Sequence, residues 1–109
     1  MRLVTKEVVR AFLGGQKKSK QNTSTDGKAL YLHGNKIAEN RQGVMWITLA
    51  GWSTPTTRER LNALPGVSVY QHKGEQYLNG EIWDGEWRPV IANIRDAVLF
   101  AASENKKNI

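Results

Sequence analysis

Apolar positions alternate with polar ones in several short stretches and follow a helical spacing in three others. Val4, Val8, Val9, Phe12 and Leu13 recur at the i, i+4, i+5, i+8 spacing of a short amphipathic helix. Thr5 is placed to cap it and Gly14-Gly15 to stop it. Residues 16–28 are polar and aperiodic, which predicts a basic loop or arm. Leu30–His33 and Lys36–Glu39 then flank Gly34-Asn35, a two-residue hairpin signal of the type II′ kind. A second turn at Asn40–Gly43 leads into Val44–Leu49. There Met45, Ile47 and Leu49 face one side, and Val44, Trp46 and Thr48 the other. This segment predicts a three-strand antiparallel meander.

Helix start signals crowd the next stretch. Thr54 before Pro55 fits an N-cap and first helical position, and Thr56 with Glu59 fits a capping box. Thr57, Leu61 and Leu64 share one face, and Pro65-Gly66 ends the helix. Val67–Gln71 alternates again, and turns at Lys73-Gly74, Asn79-Gly80 and Asp84-Gly85 set off hairpin strands at Glu75–Leu78 and Glu81–Trp83. Ile91, Ile94, Val98 and Ala101 mark a C-terminal helix. The order predicts one α+β domain over residues 1–109. Its small antiparallel sheet, a meander plus hairpin strands, packs with a short central helix and N- and C-terminal helices.

Composition narrows the chemistry. The chain has 109 residues, the size of one ordinary domain, with 39% apolar and 24% charged residues, so it is globular and not disordered. The absence of cysteine excludes a disulfide framework, a thiol nucleophile and a Cys-ligated metal. Two histidines, His33 and His72, do not complete a transition-metal site, and no nucleophile, metal or phosphate-loop motif is present. The expectation is a protein that is not an enzyme and takes no cofactor. No apolar run approaches the roughly 20 residues of a membrane span, and no signal-peptide stretch is seen at the N-terminus. A cytoplasmic location with no membrane partner is therefore expected.

The net charge of +6 is unevenly placed. Residues 1–41 hold nine Lys and Arg against three acids, while residues 42–109 sum to zero. A localised basic region favours a polyanion, because phosphate contacts release condensed counterions. The first candidate surface joins Lys17, Lys18, Lys20, Lys28, Lys36 and Arg41 as phosphate contacts to Tyr31 and Trp46 as stacking rings, the combination that single-strand binders use. The alternative for the two rings is burial beneath the C-terminal helix. A second cluster, Arg58 and Arg60, stands at the Thr-rich helix start, where backbone N–H groups also attract anions, a small phosphorylated ligand included. Trp52, Trp83 and Trp87 accompany glycine turns, as anchors of a protein interface or as closures of a small core.

Three ordered motifs carry a resemblance: Asn22–Gly27 (NTSTDG), Leu30–Ala38 (LYLHGNKIA) and Gly51–Asn62 (GWSTPTTRERLN). Over about residues 22–83 the chain resembles small proteins of tailed bacteriophages, with the N-terminal and C-terminal helices outside that span. The resemblance implies a setting in the bacterial host cytoplasm during infection and no particular activity. The expected function is nucleic-acid binding of low sequence specificity, to DNA before RNA. The alternative is inhibition of a host protein by direct binding.

Overall fold

The computed structural model describes residues 3–91. Helix α1 (Leu3–Leu13) turns Val4, Val8, Val9, Phe12 and Leu13 inward. It ends in a Schellman motif: Gln16 N donates to Ala11 O at 2.8 Å and Gly15 N to Phe12 O at 3.1 Å. Gly15 takes the required left-handed conformation at φ 72°.

The segment expected to be a loop or arm is instead a hairpin. Strands β1 (Lys18–Lys20) and β2 (Thr23–Thr25) pair antiparallel and join the sheet. β3 (Ala29–Leu32), β4 (Asn35–Arg41) and β5 (Val44–Ile47) continue the meander, and β9 (Arg88–Ile91) adds to β5. The six strands lie in the order β1-β2-β3-β4-β5-β9. The β3–β4 turn is His33-Gly34, at φ 52° and 80°, one residue earlier than expected. Positive φ at both central residues defines a type I′ turn, whose twist matches the flanking strands, and Asn35 becomes the first residue of β4. Gln42-Gly43, Lys73-Gly74 and Asn79-Gly80 repeat the same pair of angles.

α2 (Pro55–Asn62) starts with Thr54 as N-cap, whose hydroxyl accepts from Thr57 N at 3.2 Å. The expected capping box does not form, because Glu59 turns instead to Thr5 and Arg60. A second sheet, β6 (Val69–His72), β7 (Glu75–Leu78) and β8 (Glu81–Ile82), closes the far end of the core with Val69, Leu78 and the following Trp83. The C-terminal helix expected beyond Ile91 lies outside the described residues, and Ile91 itself belongs to β9.

Both helices cover one face of the large sheet. Antiparallel partners point to the same side, so Thr23 with Leu32, Leu30 with Ala38, and Ala38 with Ile47 form the helix-covered face. Its side chains join Val8, Phe12, Leu61 and Leu64 in a single core. At one end, the turn before β3 meets the end of α1 so closely that a Cβ on Gly27 would sit 2.7 Å from Gly15 O. That contact fixes the basic hairpin against the helix.

Candidate functional site

The same register places Ser24, Tyr31 and Lys36 in one row on the opposite face. Glu39 with Trp46, and Arg41 with Val44, lie farther along β4 and β5 on that face. Neither α1 nor α2 lies on that side. Tyr31, Lys36 and Trp46 are half-buried and Arg41 is exposed. Four of the expected site residues are thus brought together.

Charge on this face is largely internally balanced. Lys36 Nζ donates to Glu39 Oε2 at 2.5 Å, and Arg41 Nε to Glu39 Oε1 at 2.7 Å. These two cations hold the Glu39 carboxyl below its ordinary pKa, and Glu39 raises that of Lys36. The Arg41 guanidinium also rests over two indoles, with Cζ 5.0 Å from the Trp46 ring centre and 4.5 Å from that of Trp87. At the strand end Asp26 accepts from the backbone N–H groups of Lys28 and Ala29, both at 2.9 Å, which lowers its pKa. The Tyr31 hydroxyl donates to the same carboxylate at 3.4 Å. A cleft of about 540 Å³ borders the face, lined in part by Lys36, Gln76, Asp84, Glu86 and Trp87.

The lysines of β1 stand elsewhere. Lys18 and Lys20 share the side of Thr25 and Thr23, on the edge strand beside α1. Lys20 Nζ donates to Glu7 Oε2 at 2.7 Å, and Lys20 and Lys18 together hold the Glu7 carboxyl below its ordinary pKa. Lys17, Lys18 and Lys28 are exposed, and Glu7 is the acid whose field Lys18 shares. α1 adds two exposed cations, Lys6 and Arg10, on either side of Glu7. These two are absent from the expected set, although they fall between the apolar positions of the helix and are legible there as its outer stripe.

The second expected cluster does not form at the surface. Arg60 is fully buried. Its Nε donates to Thr23 Oγ1 at 2.8 Å and its Nη2 to Asn22 Oδ1 at 3.1 Å, while Nη1 donates to Glu59 Oε1. Glu59 Oε1 also accepts from the Thr5 hydroxyl at 2.7 Å. Arg60 therefore clamps α2 to α1 and β2, and at 0% exposure it offers no donor to a phosphate at the surface. The Thr54 and Thr57 hydroxyls bond to each other at 2.9 Å, so the helix start is occupied by its own capping. Only Arg58 stays half-exposed, its Nη1 donating to Ser53 Oγ at 3.4 Å. Of the loop tryptophans, Trp83 is core, Trp87 supports Arg41, and Trp52 stands 57% exposed.

The architecture is that of a small α+β protein in which, among the described residues, both helices lie on one face of the large sheet. The chain belongs to the Kyanoviridae Gp96 protein family, whose model matches residues 1–96. It is thus a cyanophage protein, in keeping with the resemblance to phage proteins, and the match takes in α1, which that resemblance left out. Membership assigns no activity. No curated protein and no solved structure gives a significant match.

Proposed function

We propose that the protein binds nucleic acid, with low sequence specificity overall, across the face of its large sheet opposite α1 and α2. The observation that carries this reading is the placement of Tyr31, Lys36, Arg41 and Trp46 on that one face. Rings flanked by cations on a sheet surface suit a strand whose bases stack while its phosphates find positive charge. Lys18 and Lys20 on edge strand β1 turn to the α1 side of the sheet, so with Lys17 before them they are contacts at its edge and not on this face. Arg58 is a peripheral contact, and Arg60 is none. The test is quenching of tryptophan fluorescence by short single- and double-stranded DNA at two salt concentrations. Quenching that weakens steeply with salt is expected, whereas no response at low salt removes the reading.

One observation favours a host protein as the alternative partner. Tyr70, Tyr77 and Ile82 line the outer face of the small sheet. The two Tyr rings stack at 5.2 Å, and Ile82 is 65% exposed. Exposed apolar rows of this kind often serve protein contacts. If that surface carries the function, Ile82→Ser and Trp52→Ala abolish retention of a defined host protein and leave DNA quenching unchanged.

A further inference from the structure

Arg41 is held more firmly than a surface phosphate contact requires. Glu39 and Arg41 alternate on β4 and so share a face, Trp46 is the β5 partner of Glu39, and Trp87 immediately precedes β9, which pairs with β5. Glu39 takes the Nε–H at 2.7 Å and Cζ lies over both indoles, 5.0 Å and 4.5 Å from their centres, so its rotamer is chosen before any ligand arrives. No described residue accepts from either Nη. Among the described residues, the guanidinium therefore presents a fixed two-donor fork with no acceptor of its own.

The ligand chemistry follows from the local charge. Lys36, Glu39 and Arg41 together carry only one net positive charge, and a carboxylate in contact with the guanidinium weakens its pull on an anion. The direction of the Nη–H groups is unaffected. Such a fork suits a planar, neutral edge with two adjacent acceptors, and among the bases guanine offers this through O6 and N7. Trp46 and Trp87 lie beside the fork, where a neighbouring base can stack.

We infer that Arg41 reads a guanine of the bound strand, with Glu39, Trp46 and Trp87 as positioning residues. This deepens the nucleic-acid reading and rests on it: one base-reading contact lies on an otherwise sequence-tolerant surface. The experiment is fluorescence anisotropy with short labelled thymine oligonucleotides carrying a single guanine or a single 7-deazaguanine, which lacks the N7 acceptor. The wild-type protein should prefer guanine by about fivefold, the lower end of what a bidentate base contact supplies. Arg41→Lys keeps the charge but removes the fork, so it should bind both probes equally with an unchanged salt slope. Glu39→Gln frees the cations, so it should bind both probes more tightly while its guanine preference shrinks. Equal binding of the two probes by the wild type, or a preference that survives in Arg41→Lys, overturns the inference and leaves the nucleic-acid reading standing. Binding of neither probe at low salt removes both.

Discussion

The Arg60 guanidinium is 0% exposed, and Thr23, Glu59 and Asn22 accept from its Nε, Nη1 and Nη2. Removing one partner of such a cluster costs more than replacing the whole, because the remaining polar atoms are left unpaired away from water. Arg60→Met should lower stability by about 3 kcal/mol, the low end for a buried pair because Glu59 is partly exposed. Adding Glu59→Gln should recover part of that loss, and urea unfolding of the single and double variants checks both outcomes. The sequence holds a signal for this role. Position 60 lies three residues after Thr57 and four before Leu64, on the same helical stripe as Leu61, so its side chain is due to point inward. Charge alone, without helical phase, puts it at the surface. Tyr31 and Trp46 stand out by residue type and proximity, and they do share a face, because strand alternation in β3 and β5 is readable from Leu30, Leu32, Met45 and Ile47.

At the scale of elements, legibility follows apolar contrast. α1, α2 and the strands with alternating Val, Ile, Leu or Met stand out because one face must leave water. β1 and β2 do not, since Lys-Ser-Lys and Thr-Ser-Thr show no such contrast. The inward positions of β2 are threonines whose hydroxyls bond locally: Thr25 Oγ1 donates to Ala29 O at 2.6 Å, and Thr23 Oγ1 to Asn22 Oδ1 at 2.8 Å. The His33-Gly34 turn falls one residue from its expected place because Gly-Asn and His-Gly are both acceptable hairpin pairs, and only the strand register decides between them. The join between α2 and the small sheet is likewise a polar device that hydropathy does not reveal. Asn62 Nδ2 donates to Val69 O at 2.9 Å and Val69 N donates to Asn62 Oδ1 at 2.6 Å, so the amide acts as a strand partner for the edge of β6. Asn62→Ala removes both bonds and should destabilise the fold by about 2 kcal/mol, at roughly 1 kcal/mol per bond. Arg58→Ala on the same helix, whose only side-chain contact among those described is a 3.4 Å bond to Ser53, should change stability by about 0.5 kcal/mol or less.

For the whole molecule, the folded chain turns an uneven charge along the sequence into an uneven charge in space. Of the described cations of residues 1–41, Lys6, Arg10, Lys17, Lys18 and Lys20 lie along the α1–β1 edge, where Lys20 pairs with Glu7. Lys36 and Arg41 lie on the sheet face, where Glu39 offsets them, and Lys28 stands just before β3. The edge and the sheet face should behave differently toward a polyanion. Phosphates bound at the edge release counterions and set the salt dependence, while the sheet face adds stacking and directed hydrogen bonds that salt affects little. The double variant Lys17→Gln/Lys18→Gln should therefore bind every single strand more weakly by a similar factor. Its plot of log affinity against log salt should be shallower by about 1.4, from roughly 0.7 for each phosphate left without its cation. Trp46→Ala should do the reverse, with weaker affinity at all salt concentrations and the slope unchanged. If instead the lysine pair leaves the slope as it was, the edge lies outside the binding path, and the polyanion is held by the sheet face alone.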